Sequence, residues 1–91
     1  MIKSFRDKET EAIFNGKPVL RFQNIANVAR RKLRSIHQAR TLRDLSLPGN
    51  QLEGLKGDRI GQHRVRINDQ YRVCVVWDSG DAHDVEIVDY H

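Results

Sequence analysis

The spacing of apolar residues changes once along the chain, from a helical period to a period of two. In the first part, one set of apolar side chains recurs at helical spacing and predicts a helix with a buried stripe. A shorter helix is predicted from a cap at Asp7 to about Asn15, where Gly16 can end it, after a short first strand at residues 2–5. The apolar stripe of the longer helix consists of Phe22, Ile25, Ala29, Leu33 and Ile36.

After Gly61, apolar and polar residues alternate, as is typical of strands with one buried face. One run ends at a turn over residues 68–70, a second covers Tyr71 to Trp77, and the last contains Val85 and Ile87. We therefore predict an α+β fold, a small antiparallel β-sheet with two N-terminal helices packed on one face, in the order β-α-α-β-β-β. Residues 41–60 are expected to be irregular. Residues 1–91 are predicted to form a single domain, because a chain of this length supports one core.

The register of the two hairpins follows from keeping the apolar side chains on one face of the sheet. Three arginines, Arg64, Arg66 and Arg72, then share the opposite face. The same register brings the end of the last strand close to the 68–70 turn. The predicted pairs are Ile67 with Tyr71, Arg66 with Arg72, His63 with Val75, Val75 with Val85, and Tyr71 with Asp89.

The charge is unevenly distributed. Residues 17–72 hold thirteen basic and four acidic side chains, whereas residues 73–91 hold five acidic and no basic ones. A middle region this basic points to a polyanion, with nucleic acid as the first candidate, although a solvated charged face gives the same composition. The single cysteine, Cys74, excludes an internal disulfide and is compatible with the cytoplasm. It is predicted to be a small buried residue.

The chain ends in three titratable residues, Asp89, Tyr90 and His91. A carboxylate, a phenol and an imidazole suffice for general acid–base chemistry, although a solvated polar tail has the same composition. RNA supplies its own nucleophile, the 2′-hydroxyl, and arginine binds the phosphate by bidentate hydrogen bonds. Such a site requires neither a metal nor another cofactor. His37 and His83 are expected to be exposed polar residues.

Four segments together resemble the HigB branch of the RelE/ParE toxin superfamily. They are the opening residues 1–5, the Leu-Lys-Gly-Asp-Arg segment at 55–59 with Gly61, the hairpin at 65–72, and the closing residues 89–91. The resemblance spans nearly the whole chain in the correct order. It implies a toxin of a type II toxin–antitoxin system, acting as a ribosome-dependent endoribonuclease that cleaves translated mRNA. It also implies a cytoplasmic protein with no membrane partner.

The resemblance assigns site residues through its motifs. His91 is the leading candidate for proton transfer, Tyr90 and Asp89 position or assist it, and Arg72 and Lys56 stabilise the scissile phosphate. Some relatives have a second histidine just before the Leu-Lys-Gly-Asp-Arg segment. Glu53 occupies that position here, as a possible second acid or base, and His63 is a weaker substitute because its register places it on the core face. The residues expected to contact RNA or the ribosome are Arg64, Arg66, Arg30, Arg31 and Arg34.

The implied partners are a HigA-like antitoxin with a helix-turn-helix domain, the ribosome and mRNA, with operator DNA bound only through the antitoxin. Two other functions remain compatible with the residues. One is a non-catalytic toxin of the same fold that acts on DNA gyrase, although such a toxin does not need a terminal Tyr90-His91 pair beside an arginine. The other is an RNA- or protein-binding module, which would tolerate loss of His91.

Overall fold

The computed structural model describes residues 1–55, 57 and 61–90. Two α-helices, α1 (Lys8–Phe14) and α2 (Ala26–Gln38), precede a four-stranded sheet. Its strands are β1 (Glu53–Gly54), β2 (Gln62–Arg66), β3 (Tyr71–Asp78) and β4 (Asp81–Asp89). They lie side by side in chain order, and each pairs antiparallel with the next. Among the described residues, no helix is long and apolar enough to cross a membrane.

Local signals determine the ends of α1, as the sequence predicts. A carboxylate oxygen of Asp7 accepts a hydrogen bond from the backbone N–H of Thr10 at 2.6 Å and thereby satisfies a donor that the first helical turn leaves unpaired. At the other end, Gly16 has a φ of 80°, the left-handed conformation in which glycine is favoured. The helix therefore begins and ends close to the predicted residues.

The apolar stripe of the second predicted helix is confirmed, but the helix itself is shorter. All five stripe residues are buried, yet α2 begins only at Ala26. Phe22 lies in a separate 3₁₀ turn, Leu20–Phe22, and Ile25 is the residue before the helix. A 3₁₀ turn keeps nearly the same side-chain direction every three residues, so both side chains still face the core.

The predicted strand register is confirmed over most of the sheet. Arg66 pairs with Arg72, His63 with Val75, and Tyr71 with Asp89. The ladder between β3 and β4 is irregular between Cys74 and Val76, so the predicted pairing of Val75 with Val85 is interrupted. Asp84 has a φ of 52° at this point.

The bulge in β4 lies where this strand contacts the N-terminal residues. Ser4 accepts two hydrogen bonds from β4, at its hydroxyl from the N–H of Asp84 (2.9 Å) and at its carbonyl oxygen from the N–H of Val85 (3.1 Å). The predicted first strand at residues 2–5 is therefore reduced to two isolated parallel bridges, Ile2 with Ala82 and Phe5 with Val85. The N-terminal segment thus covers the edge of β4.

One side of the sheet forms the core with the two helices. The stripe of α2 and Ile13 of α1 pack against apolar side chains of three strands. Truncating a fully buried leucine or isoleucine in such a core costs about 2–5 kcal/mol. The strand residues on this side are Val65, Val73, Val75, Ala82, Val85 and Ile87, and Ile67 directly after β2 joins them.

The segment between α2 and β2 is more ordered than expected. It contains two 3₁₀ turns, Leu42–Leu45 and Pro48–Asn50, and the short strand β1, which the sequence pattern did not predict. Asn50 is buried, its amide donates to the carbonyl oxygen of Leu45 (3.0 Å), and its oxygen accepts from Lys32 of α2 (2.6 Å). Burial lowers the pKa of Lys32, with Arg31 and Arg66 acting in the same direction. This contact fixes the turn that leads into β1.

Candidate functional site

The side of the sheet that the helices leave uncovered, here called the open face, carries the predicted arginines. Arg64, Arg66 and Arg72 alternate along their strands with buried core residues. Arg64 is paired with Cys74 on β3 and with Glu53 on β1. The register therefore places basic, acidic and thiol groups in one row across three strands.

Tyr90 leaves the end of β4 and lies on the open face. Its backbone N–H donates to the carbonyl oxygen of Gln70 at 2.6 Å, which extends the ladder by one residue past β4. The guanidinium carbon of Arg64 is 4.9 Å from the centroid of the Tyr90 ring, a cation–π arrangement. The phenol oxygen is 3.5 Å from the sulfur of Cys74. Tyr90 is therefore held by contacts at its backbone, at its ring face and at its hydroxyl.

The environment of Tyr90 raises the pKa of its phenol. Burial is the largest influence and raises its pKa above 10.0, and the hydrogen bond with Cys74 acts in the same direction. Arg64 lowers the pKa but does not reverse the shift. At neutral pH the phenol therefore carries its proton and can donate a hydrogen bond.

Arg64 links Tyr90 to Glu53. Its Nη2 is 2.7 Å from Oε2 of Glu53, which lies on the neighbouring strand β1. The pKa of Arg64 is raised, first by its interaction with Tyr90 and next, against the opposing effect of burial, by its hydrogen bond with Glu53. The side chain of Arg64 is 26% exposed and that of Glu53 is 56% exposed, so solvent partly screens the ion pair.

Arg72 donates hydrogen bonds to its own hairpin. Its Nη1 donates to the carbonyl oxygens of Asn68 and of Tyr71, the latter at 3.0 Å. Within the part of the chain that the structure describes, the Nε and Nη2 groups of Arg72 form no hydrogen bond or ion pair. These donors are suitably arranged for a phosphate. Arg66, in contrast, forms an ion pair with Asp69 at 2.6 Å.

Asp89 and the hairpin turn lie at the same end of the sheet. Oδ2 of Asp89 accepts a hydrogen bond from the side-chain amide of Gln70 at 3.2 Å. The turn itself is closed by Asn68, whose side-chain oxygen accepts from the backbone N–H of Gln70 (2.9 Å) and of Tyr71 (2.7 Å). The structure therefore brings together Asp89, Tyr90 and the hairpin that carries Arg72.

Two predicted catalytic residues, His91 and Lys56, lie outside the described residues. Tyr90 is the residue directly before His91 in the sequence. Among the described residues, the predicted second acid or base, Glu53, is linked to the site through Arg64.

The predicted RNA-binding arginines of α2 are on the helix side of the molecule, away from the open face. Arg31 and Arg34 are exposed, whereas Arg30 is half-buried and its Nε donates to the carbonyl oxygen of Ile13 at 3.0 Å. Arg30 therefore anchors the end of α1 to α2. The basic side chains are thus divided between two sides of the sheet.

The histidines have more structural roles than expected. His37 is half-buried, accepts a hydrogen bond from the N–H of Ile2 at 3.1 Å and packs on Phe14, so the expectation of an exposed residue is wrong. His83 is also half-buried. His63 is half-buried against Gly54, and its Nδ1 is buried without a partner among the described residues. His63 lies beside Val75, as predicted, which keeps it off the open face.

Sequence reasoning correctly predicted that Cys74 is buried but missed its contact with Tyr90. The available signal was the register, which places Cys74 directly beside Arg64. The contacts of Gln70 with Asp89 and Tyr90, and the role of Asn68 in closing the hairpin turn, were also missed.

Comparison with known proteins agrees with this architecture. A family model described as the RelE-like toxin of the type II toxin–antitoxin system HigB matches residues 3–91. Toxin HigB-1 of Vibrio cholerae serotype O1 (strain ATCC 39315 / El Tor Inaba N16961) is 34% identical over 85 residues, which cover 90% of either chain. Endoribonuclease HigB of Proteus vulgaris is 30% identical over 96 residues and is covered completely, as is this chain.

A solved structure shares the fold. A chain of the YoeB–YefM complex from Staphylococcus aureus superposes with a TM-score of 0.58 at 16% identity, over 100% of this chain and 98% of that chain. The predicted α+β fold of the RelE/ParE type is thereby confirmed. Since the family match covers almost every residue, from the N-terminal segment to the end of β4 and beyond, the chain belongs to the HigB-like toxins of type II toxin–antitoxin systems.

Proposed function

We propose that this toxin is a ribosome-dependent endoribonuclease that cleaves translated mRNA without a metal ion. The observation that carries the proposal is the position of Tyr90, held by its backbone, ring and hydroxyl beside Arg64 and the Arg72 hairpin. The name of the Proteus vulgaris relative, an endoribonuclease, supports the same chemistry.

The proposed reaction is attack of the RNA 2′-oxygen on the adjacent phosphorus, with loss of the 5′-oxygen of the next nucleotide. A base removes the proton of the 2′-hydroxyl, and an acid protonates the leaving oxygen. Tyr90 is suited to donate a hydrogen bond, since its raised pKa keeps the proton on the phenol at neutral pH. We assign proton transfer principally to His91, with Asp89 orienting the chain end.

Stabilisation of the phosphorane is assigned to cationic groups. Two donor nitrogens of Arg72 point to no partner among residues 1–55, 57 and 61–90, while its Nη1 is fixed to the hairpin by Asn68 and Tyr71. An arginine fixed in this way needs little reorganisation to bind a phosphate. Lys56 is proposed as a second cation from the segment that follows β1.

The proposed partners are an antitoxin with a helix-turn-helix domain, the ribosome with its mRNA, and operator DNA reached only through the antitoxin. The family match supports an antitoxin partner, because the family is defined by toxin–antitoxin pairs. The exposed Arg31 and Arg34 suit contact with ribosomal RNA, since arginine pairs with phosphate. The proposed location is the cytoplasm.

The test is expression of the wild type, His91→Ala and Tyr90→Phe in bacteria without antitoxin, with mRNA 5′ ends mapped by primer extension. We expect new in-frame cuts in translated messages with the wild type, and a loss of about 100-fold or more for each variant that folds normally. Growth arrest without cuts would favour action on DNA gyrase or a binding module. Efficient cleavage of purified RNA at low toxin concentration would contradict dependence on the ribosome.

A further inference from the structure

We propose that the Glu53–Arg64 ion pair is a positioning device that holds Tyr90 against the open face. In this proposal Arg64 acts on the chain end rather than on phosphate, and Glu53 acts through Arg64 rather than as an acid or base. The inference rests on the proposed endoribonuclease function. It assigns a different role to two residues for which sequence reasoning suggested direct contact with RNA or direct proton transfer.

The contacts form a continuous chain from β1 to the end of β4. Glu53 holds one edge of the Arg64 guanidinium at 2.7 Å, and the guanidinium carbon lies 4.9 Å from the centroid of the Tyr90 ring. The hydroxyl of the same ring reaches Cys74 at 3.5 Å. Arg64 is thus fixed on one side by a carboxylate and packs against the tyrosine ring on the other.

The neighbouring arginines show that this arrangement is specific to Arg64. Arg66 lies two residues further along the same strand and face, but its carboxylate partner is Asp69, whose side chain is 100% exposed. Arg72 is held by backbone carbonyl oxygens of the hairpin. In the described part of the chain, Arg64 is the arginine that contacts Tyr90.

The same geometry argues against a direct role for either partner. A phosphate on Arg64 would compete with Glu53 for Nη2 and would have the Glu53 carboxylate beside it, which repels an anion. A proton taken up by Glu53 would remove the negative charge that pairs with Arg64. The arrangement therefore suits a fixed contact better than a group that binds or releases charge in each cycle.

Cys74 offers a direct measurement of Tyr90 docking. It is the single cysteine of the chain, it is 2% exposed, and its sulfur contacts the Tyr90 hydroxyl on the open face. When Tyr90 leaves this position, the thiol becomes more accessible to an alkylating reagent such as iodoacetamide. The alkylation rate under native conditions therefore reports how often the chain end is released.

The first experiment compares alkylation rates of the folded, full-length protein and its variants. We expect Tyr90→Ala to define the maximal rate, and Arg64→Ala and Glu53→Gln each to raise the rate by about threefold or more over the wild type. Arg66→Ala is the matched control, since it removes an ion-paired arginine from the same face, and it should leave the rate unchanged. A wild-type rate in Arg64→Ala, combined with a high rate in Tyr90→Ala, would overturn the proposal.

The second experiment measures single-turnover cleavage on ribosomes that carry mRNA, as a function of toxin concentration and pH. Positioning predicts that Arg64→Ala lowers the maximal rate by about tenfold or more without changing the half-saturating concentration. Glu53→Gln should lower the same rate less and leave the pH profile unchanged, and Arg64→Lys should recover only part of the loss because it lacks the planar group.

The outcomes separate the competing roles. A raised half-saturating concentration with a normal maximal rate in Arg64→Ala would make Arg64 an RNA ligand and overturn the proposal. If Glu53→Gln removes one limb of the pH profile of the cleavage rate, Glu53 acts as an acid or base and the proposal is also overturned. The alkylation assay contains no RNA, so it tests the positioning of Tyr90 independently of cleavage. If the alkylation rates are as expected but the wild type does not cleave mRNA, the proposed endoribonuclease function is wrong and the positioning contact stands.

Discussion

At the scale of single residues, Thr10 shows how one hydroxyl can complete a sheet edge. The backbone N–H of Ile87 on β4 donates to Oγ1 of Thr10 at 3.0 Å, and Thr10 is completely buried within α1. The N-terminal segment pairs with β4 only up to Val85, so this donor lies beyond its reach. The Thr10 hydroxyl therefore accepts the hydrogen bond from Ile87 that the backbone of the N-terminal segment does not reach.

Thr10→Val tests this role, since valine has nearly the same shape but no acceptor. We expect the free energy of unfolding in urea to fall by about 2 kcal/mol, because the buried N–H of Ile87 is left unpaired. Thr10→Ser is the matched control. It keeps the hydroxyl and should cost only about 0.8 kcal/mol for the lost methyl group. Equal stability of the valine and serine variants would contradict the assignment.

At the scale of elements, the 3₁₀ turn Leu42–Leu45 begins with a capping box. Oδ2 of Asp44 accepts from the backbone N–H groups of Arg40 (2.9 Å) and Thr41 (3.1 Å), and the Thr41 side chain accepts in return. These hydrogen bonds, that from Arg40 first, lower the pKa of Asp44 below 3.8. The charged carboxylate is therefore preferred in the folded state.

This cap should weaken in acid. A carboxyl group whose pKa is lower in the folded than in the unfolded state stabilises the fold above its unfolded pKa and loses that contribution as the pH falls. Asp44→Asn should therefore be less stable than the wild type at pH about 7, with the difference shrinking as the pH falls below 3.8. Urea unfolding at several pH values measures the difference in free energy of unfolding between the two proteins. Asp78→Asn removes another exposed carboxylate and is the control, which should not show this pH-dependent loss of stability. A stability difference between Asp44→Asn and the wild type that does not change with pH would contradict the prediction.

At the scale of the whole molecule, the basic side chains lie on two sides. Arg31 and Arg34 are exposed on the helix side, while Arg64 and Arg66 on the open face are already in ion pairs. The cations of α2 are therefore more available to an external polyanion than those two. The net charge of +4 favours association with RNA at long range.

We expect the affinity of the toxin for ribosomes to fall with salt, and Arg31→Gln/Arg34→Gln to reduce that dependence. Loss of two phosphate contacts lowers the slope of log affinity against log salt by about 1.5. Lys3→Gln/Lys8→Gln is the matched control, with the same change in charge at exposed positions elsewhere. Sedimentation binding assays at several salt concentrations measure the slopes. Equal slopes for the two double variants would place the ribosomal contact elsewhere.

The sequence predicted those features that depend on local or periodic signals. The ends of α1 follow from Asp7 and Gly16, and alternation along the hairpin yields the correct pairing of Arg66 with Arg72. The bulge at Asp84 was not predictable in this way, because its partner Ser4 is 80 residues away.

The candidate site was predictable to a similar extent. Continuing the alternation of β4 from Ile87 puts Tyr90 on the side of the arginines, where the structure has it. This alternation could not reveal that Arg64 stacks on the ring, because a side chain past the end of a strand is oriented by its contacts rather than by the pleat. Strand β1 was missed because two residues are too few to show an alternating pattern. It is recognised from its contacts, namely the pairing with β2 and the Glu53–Arg64 ion pair.

The position of β4 has a consequence for the order in which the protein can form. This strand lies between β3 and the N-terminal segment, so the first and last described parts of the chain meet there. During synthesis, residues 81–90 leave the ribosome after every other described element. The N-terminal segment therefore cannot pair with β4 until residues 81–90 have been synthesised, and neither the core nor the candidate site is complete before then. A nascent toxin therefore has no assembled site while β4 is still inside the ribosome that makes it.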